Sequence, residues 1–262
     1  EDGDGFINFV YRVSDGKHHL IVKQSTLEAR SKGSFTLDLN RYKLEYDAMK
    51  ICAAIVPDLI PKLYDCDEEN RVFITEDVSY LRLSRFQLLK GVTYPKLADQ
   101  IARYMAATQF YTSEYYLDTK RFRDLSVHFM NTTMRKIMEV GMFLTSVTPE
   151  DTVGRPLDPE FITFSKRICA DPAVLLARQK LRHLFMSKGE CLIHCDLHTS
   201  NIFASQTEAK VIDMEYSFFG PFAYDMGYFT ANFIAQYAAA AFRPFETEEA
   251  RKEFKAYCLF MI

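Results

Sequence analysis

Polar side chains follow an apolar run in the last third of the sequence. They are His194, Asp196 and Asn201, and the apolar run is residues 191–193. In a loop entered from a strand, Asp196 can accept the proton of a substrate hydroxyl group, and the amide oxygen of Asn201 can ligate Mg2+. The spacing His-x-Asp-x4-Asn therefore predicts a catalytic loop over residues 194–201.

A pair of carboxylates follows a second apolar run a few residues later. Asp213 and Glu215 come directly after residues 210–212. If the strand ends fully extended, positions i and i+2 share one side, and both carboxylates can bind the same cation. Oxygen ligands without cysteines at zinc spacing favour magnesium over a softer metal. Together the two stretches predict a phosphoryl-transfer site, which needs a hydroxyl-positioning group and cations that neutralise developing charge.

Each stretch alone also fits a structural interpretation. Two acids that flank a methionine can be solvated turn residues, and His198 alone fits a structural hydrogen-bond partner. The combination, which is followed by Gly-Pro and then by Asp225-x-Gly227, favours the catalytic interpretation.

The start of the sequence offers groups that suit a nucleotide. Gly3 and Gly5 precede a predicted hairpin, and glycine lets a backbone approach phosphate closely. Lys23 ends the apolar run "LIVKQ", where an oriented ammonium group could contact phosphate. Glu45 on the following helix is the predicted ion-pair partner of Lys23, with Glu28 as a competing partner.

The pattern of apolar residues changes character along the chain. Alternation on both sides of Ser14-Asp15-Gly16 predicts a β-hairpin, followed by one main helix and two strands around an acidic turn. Helical patterns then cover four stretches, the last of which is typical of a buried helix: 94–117, 124–144, 172–187 and 220–242. The most linker-like stretch is 146–160. We therefore predict an α+β fold of two lobes, a β-rich lobe over residues 1–79 and a mainly helical lobe over residues 80–262, joined by a hinge at 75–79.

The composition excludes several classes of protein. Of the 262 residues, 48% are hydrophobic, which is enough for a sizeable core. With 32 basic and 35 acidic residues, the net charge of −3 provides no field for binding nucleic acid or an anionic membrane. The six cysteines lack zinc spacing, no apolar run could span a membrane, and no secretory leader is visible. We therefore expect a cytoplasmic protein with reduced thiols and with no nucleic-acid or membrane partner.

The order of these motifs resembles the aminoglycoside phosphotransferase and choline kinase group, whose fold is protein-kinase-like and bilobal. Within that group the chain is most similar to the 5-methylthioribose kinase family, over residues 1–245 and most weakly over 125–190. The segments that carry the resemblance are "GDGFINFVYRV", "LIVKQ", "TEDVS", "LIHCDLHTSNIFAS", "KVIDMEYSFFGPFAYDMG" and "ANFIAQYAAAAF". The Asp-x-Glu triplet, in place of an Asp-Phe-Gly type triplet, is the most discriminating of them.

The resemblance implies ATP-dependent phosphorylation of the 1-hydroxyl of methylthioribose, a step of methionine salvage, by a homodimer that uses Mg2+. It implies that Asp196 is the catalytic and substrate-binding acid, and that Asp225 braces the catalytic loop. The residues implied to bind the nucleotide are Gly3, Gly5, Asn8, Lys23, Glu45, Glu76, Asp77, Val78, Asp213, Met214 and Glu215. The residues implied to bind the metal are Asn201, Asp213 and Glu215.

Two alternatives remain open at this point. The first is another small-molecule kinase of the same fold, acting on an aminoglycoside, choline, homoserine or a related alcohol. The second is a nucleotide-binding pseudokinase, which two departures suggest: Phe6 stands where the family has Asn, and Cys195 where it has Gly. The family's paired arginines would lie beyond Ile262, so we expect the chain to continue past that residue.

Overall fold

The computed structural model describes residues 8–26, 37–145 and 157–262. Four residues named above lie outside these ranges: Gly3, Gly5, Phe6 and Glu28. The first described part is a four-stranded antiparallel sheet with one helix, and the remainder is mainly helical.

The four-stranded sheet, which we call the front sheet, has the strand order β1-β2-β4-β3. Its strands are β1 (Phe9–Ser14), β2 (His19–Gln24), β3 (Leu63–Asp67) and β4 (Val72–Glu76). In the hairpin of β1 and β2, Ser14 pairs with His19, and Gly16 in the turn has φ of 90°. The Asp15 carboxylate accepts the backbone N–H groups of the two residues after Gly16. Both the predicted hairpin and the predicted second strand pair are confirmed.

Helix α1 (Arg41–Ile55) is the predicted main helix of this part. Its buried face includes Met49 and Cys52, which pack into the large hydrophobic core. The same face also buries two charged side chains, Arg41 and Glu45. Because a buried charge is unfavourable unless it is paired, these two residues mark the side of the helix that faces the candidate site.

Eight further α-helices follow α1 in the described residues. The helices are α2 (Ser84–Leu89), α3 (Leu97–Tyr111), α4 (Thr119–His128), α5 (Thr132–Glu139), α6 (Pro159–Cys169), α7 (Pro172–Ser187), α8 (Ala223–Ala239) and α9 (Glu248–Phe260). The side chains of Asp158 and Asp171 cap α6 and α7, and each is followed by a proline at the first helical position. No helix within the described residues is both long and apolar enough to span a membrane.

Three predictions for this part were wrong. Residues 124–144 do not form one helix, because Asn131 has φ of 41° and separates α4 from α5, which continues into a π-helical segment (Val140–Leu144). Residues 146–156 of the predicted linker lie outside the described residues, and its last two residues, 159 and 160, already belong to helix α6, which was not foreseen. Helix α8 is only partly buried, since Met226 and Ile234 are more than half exposed.

Five short strands support the candidate site. They are β5 (Arg82–Leu83), β6 (Cys191–Ile193), β7 (Ile202–Ala204), β8 (Ala209–Val211) and β9 (Phe218–Gly220). Strand β6 pairs with β9, and β7 pairs with both β5 and β8. Every residue of β6 and β8 is buried, so their ends are fixed by the core. The catalytic loop starts where β6 ends, and the acidic pair follows the end of β8.

Candidate active site

The catalytic loop is held by a buried carboxylate from α8. The Asp225 side chain, which is 2% exposed, accepts the backbone N–H of His194 at 2.7 Å and that of Cys195 at 2.9 Å. Cys195 has φ of 67°, in the left-handed region that disfavours residues with a β-carbon. The two hydrogen bonds stabilise this bend, and the bend sets the direction in which Asp196 leaves the loop.

Asp196 receives hydrogen bonds from within its own loop. Asn201 Nδ2 lies 3.2 Å from Asp196 Oδ2 and 2.9 Å from the Asp196 carbonyl. His198 Nε2 lies 3.4 Å from the same Oδ2. Because His198 Nδ1 accepts the Ser200 N–H at 3.1 Å, the proton of a neutral ring is on Nε2 and faces Asp196. The contacts of Asn201 and His198 with Oδ2 thus orient the Asp196 carboxylate.

The acidic pair does not lie on an extended strand, contrary to the prediction. Strand β8 ends at Val211, and Asp213 has φ of 66°, so the chain turns sharply at that residue. The turn nevertheless brings the two acids together and adds a third. Ligand oxygens of Glu45, Asp213 and Glu215 all lie within 4.8 Å of one another.

Lys23 lies between the front sheet and the acidic pair. Its ammonium group donates to Glu45 Oε1 at 2.7 Å and also to Asp213 Oδ1. The predicted ion pair of Lys23 with Glu45 is therefore present. Burial acts to lower the pKa of Lys23, but the carboxylates of Asp213 and Glu45 outweigh it and raise that pKa above its ordinary value. The lysine is thus held in its charged form.

The cluster holds more carboxyl groups than cationic side chains. Burial raises the pKa of Glu45 to about 8 and that of Glu215 to about 7, although Lys23 opposes both shifts. Among the described residues, Glu45 Oε2 is buried without a hydrogen-bond partner. Three carboxylates thus face two buried cations, Lys23 and Arg41. A hard divalent cation fits such a set of oxygen donors.

The catalytic loop and the segment 213–215, which we call the metal segment, are joined directly. His194 Nε2 donates to the Ile212 carbonyl at 2.9 Å, and the Ile212 N–H donates to the Asn201 carbonyl at 3.0 Å. The amide nitrogen of Asn201 faces Asp196, which leaves its amide oxygen as the atom that could ligate a metal. The structure therefore brings the four predicted acid and amide residues of both stretches into one site.

The predicted hinge lies at the end of β4. The Glu76 N–H donates to the Lys62 carbonyl at 2.8 Å, and the Asp77 carboxylate accepts Arg12 Nε at 2.5 Å. The Val78 side chain is buried. These contacts hold the hinge against the edge of the front sheet, and the role of its backbone groups in adenine binding stays a prediction.

Two further residues predicted to contact the nucleotide are engaged inside the protein. Asn8 is buried, and its Nδ2 donates to Glu215 Oε2 at 2.7 Å. Met214 is fully buried in the hydrophobic core, and its carbonyl accepts the Ser217 N–H at 3.1 Å. Their predicted contacts with a nucleotide stay predictions.

Sequence reasoning missed two residues beside Glu215. Arg41 precedes Glu45 by one helical turn, and Asn131 interrupts a helical pattern; both features are visible in the sequence. An arginine and a glutamate four residues apart lie on one helix face, and asparagine is among the residues that tolerate a left-handed backbone. Neither signal identifies its partner, because the partner is more than 80 residues away in sequence.

Comparisons with known proteins show which proteins this chain is similar to. The family model described as "Phosphotransferase enzyme family" matches residues 153–257. Methylthioribose kinase from Bacillus cereus (strain ATCC 10987 / NRS 248) is 37% identical over 235 residues, which cover 89% of this chain and 59% of that protein. Methylthioribose kinase from Geobacillus sp. (strain WCH70) is 36% identical over 252 residues, which cover 95% of this chain and 62% of that protein.

A solved structure supports the fold. The choline/ethanolamine kinase family protein from Mesorhizobium loti has a TM-score of 0.51 and 15% identity, covering 100% of this chain and 76% of that chain. The α+β, protein-kinase-like fold predicted from the sequence is therefore confirmed. The chain spans about three fifths of the length of the two curated relatives above. The chain is thus similar in sequence to methylthioribose kinases over about nine tenths of its own length, and similar in fold to a choline/ethanolamine kinase family protein.

Proposed function

We propose that the chain carries the catalytic part of an ATP-dependent kinase that phosphorylates the 1-hydroxyl of 5-methylthioribose. The observation that supports this most strongly is the hydrogen-bonded union of the catalytic loop with the metal segment, through His194, Ile212 and Asn201. That union supports the proposed pairing of Asp196, as the acid that positions the hydroxyl group, with Asp213 and Glu215 as metal ligands. The homology to methylthioribose kinases supports the choice of acceptor.

Asp196 is the proposed acceptor of the substrate proton. Since Asn201 and His198 both face Oδ2, we assign Oδ1 to the substrate hydroxyl group. As the hydroxyl oxygen forms its bond to the γ-phosphorus, the bond from that phosphorus to the β,γ-bridging oxygen breaks, and the hydroxyl proton passes to Asp196. The products are the sugar phosphate and ADP.

Lys23 and the metal segment are proposed to bind the phosphates. Lys23 would donate to a phosphate oxygen while Glu45 keeps its ammonium in place. Asn201, Asp213 and Glu215 would hold Mg2+, which neutralises the charge that develops on the phosphates when it is bound. The close grouping of carboxyl oxygens of Glu45, Asp213 and Glu215, all within 4.8 Å of one another, supports this assignment.

An acceptor screen tests the proposal. ADP release by the purified protein would be measured with Mg-ATP and methylthioribose, choline, homoserine or an aminoglycoside, each also with the Asp196→Asn variant. We expect the highest kcat/KM for methylthioribose and loss of that rate in the variant. A rate with another alcohol but none with methylthioribose would overturn the substrate assignment. Nucleotide binding without turnover on any alcohol would favour the pseudokinase alternative.

Assembly and location follow from the same proposal. We propose a homodimer in the cytoplasm, as the family resemblance implies. Light scattering coupled to size-exclusion chromatography measures the mass in solution, and a mass equal to that of one chain would contradict the dimer. Cell fractionation tests the location, and recovery of the protein with the membranes would contradict it.

A further inference from the structure

The Glu215 carboxylate is supported by residues that the catalytic proposal does not use. Asn8 Nδ2 donates to Glu215 Oε2 at 2.7 Å, and Arg41 Nε lies 3.4 Å from the same oxygen. Exposure of the three residues is 4% for Asn8, 0% for Arg41 and 2% for Glu215. A metal ligand in this position is therefore surrounded by protein groups and not by water on this side.

Arg41 uses the other nitrogens of its guanidinium group to fix its own position. Nη1 donates to the Thr26 carbonyl at 2.7 Å and to the Asp38 carbonyl at 3.1 Å. Nη2 donates to Asn8 Oδ1 at 2.8 Å. Ser25 Oγ donates to the same Asn8 oxygen at 3.3 Å, and the shorter Arg41 bond is charge-assisted. With its oxygen held by these donors, the Asn8 amide turns its nitrogen toward Glu215.

A second set of contacts connects helix α1 to the metal segment. Glu45, four residues after Arg41 and on the same helix face, binds Lys23, which contacts Asp213. Both acids of the metal segment are thus connected to one helix, Glu215 through Asn8 and Arg41 and Asp213 through Lys23 and Glu45. A displacement of the helix would disturb both acids together.

We propose that Arg41 and Asn8 are positioning residues for the metal ligand Glu215. Arg41 orients the Asn8 amide, and Asn8 in turn holds Glu215 Oε2, so that Oε1 is presented to the metal ion. In this proposal the buried Asn8 amide serves Glu215, in place of the nucleotide contact that the family resemblance implies. The inference rests on the proposed function, because it takes Glu215 as a metal ligand.

Metal binding without catalysis tests this inference. Mn2+ would be titrated into the protein saturated with ADP, and the electron paramagnetic resonance signal of free Mn2+ would report its affinity. Partners that hold a metal ligand typically contribute about 10–100-fold to metal affinity. We therefore expect Arg41→Met and Asn8→Ala each to weaken Mn2+ binding about 10-fold or more, with ADP affinity in the absence of metal unchanged.

A matched control lies on the same helix. Lys43 is a cation that pairs with Glu68 at 2.9 Å on the exposed side of α1, so Lys43→Met should leave Mn2+ binding unchanged. The double variant, Asn8→Ala with Arg41→Met, tests whether Arg41 affects Mn2+ binding through Asn8 or independently of it. If Arg41 acts through Asn8, the Mn2+ affinity of the double variant equals that of the single variant with the lower affinity.

The outcomes distinguish this inference from the proposed function. Wild-type protein that binds no Mn2+ in the presence of ADP would overturn the proposed function and the inference with it. Wild-type binding that Asn8→Ala and Arg41→Met leave unchanged would overturn the inference alone, as would a double variant whose loss is the product of the two single losses. Should Arg41→Met fail to fold, the result for Asn8→Ala decides, since that variant keeps the buried arginine.

Discussion

The side-chain amide of Asn131 donates a hydrogen bond to the backbone carbonyl of Glu215 at 2.8 Å, although the two residues are 84 positions apart. The same nitrogen lies 3.0 Å from the Ser217 carbonyl. Asn131 also separates α4 from α5 with its left-handed backbone. One residue thus ends a helix and anchors the turn that follows the metal segment, so the two features depend on each other.

Substitution of Asn131 separates its two roles. Asn131→Gly keeps the left-handed backbone but leaves two buried carbonyls without their donor, and we expect a loss of about 1–3 kcal/mol in the free energy of unfolding. Asn131→Ala should lose about 1–2 kcal/mol more, because alanine is strained at this φ. Urea denaturation measures both. Asn40→Ala is the control, since Asn40 is exposed and its side chain makes no cap hydrogen bond. A glycine variant as stable as wild type would contradict the anchoring role.

Asp196→Asn should abolish turnover while preserving nucleotide binding. Loss of a general base typically lowers kcat by about 10²–10⁴-fold, and asparagine keeps the shape and the acceptor oxygen that Asn201 uses. Steady-state kinetics and Mg-ATP titration calorimetry provide the two measurements. The control is Asp124→Asn, which removes an exposed ion pair with Lys120. A parallel loss of Mg-ATP affinity in Asp196→Asn would argue against a role confined to the acceptor.

Glu215→Gln should weaken metal binding without unfolding the protein. Glutamine can still accept the Asn8 hydrogen bond but lacks the charge that attracts a divalent cation. We expect the Mg2+ concentration for half-maximal rate to rise about tenfold, in line with the role of charged ligands in metal affinity. Glu68→Gln, at the exposed ion pair with Lys43, should behave as wild type. An unchanged Mg2+ requirement in Glu215→Gln would remove this residue from the metal site.

Cys195→Gly should be tolerated. Glycine removes the left-handed strain of about 1–2 kcal/mol, and its greater freedom in the unfolded chain offsets about 0.5–1 kcal/mol of that gain. Loss of the buried thiol offsets part of the rest, so we expect stability within about 1 kcal/mol of wild type and equal or slightly higher turnover. Thermal unfolding and kinetics test this.

Cys191→Gly, four residues earlier in the chain, is the control for Cys195→Gly. Cys191→Gly lies in strand β6, where no positive φ is relieved, and should destabilise the protein. A Cys195→Gly variant that fails to fold would show that the thiol has a packing role that outweighs the backbone strain.

The sequence pattern correctly predicted the secondary-structure elements that depend on residues close together in the chain. The hairpin around Gly16 and the bounds of α7 follow from turn residues, alternation and a proline at the helix start. The Lys23 and Glu45 pair was predictable because a strand and the next helix of such a sheet meet closely. The grouping of Asp213 with Glu215 was also predicted, although the turn that brings them together was not.

The rest depends on contacts between distant segments. The break at Asn131 interrupts a good helical pattern because its amide binds Glu215, and no local rule contains that partner. The left-handed turn at Asp213 likewise depends on packing after β8, so an extended strand end was the natural but wrong expectation. The position of Asn8 beside Arg41 has the same origin, since the two lie 33 residues apart.

The buried thiol of Cys195 makes the catalytic loop observable. Its side chain is fully covered, and burial raises its pKa well above the ordinary value, so an alkylating reagent can react only after the loop opens. Cys66 and Cys169 are partly exposed and would be labelled first. The slower rate of alkylation at Cys195, measured by mass spectrometry, then reports the rate of local opening. Cys195, next to the proposed catalytic acid, thus reports the frequency of local opening of the catalytic loop without an added label.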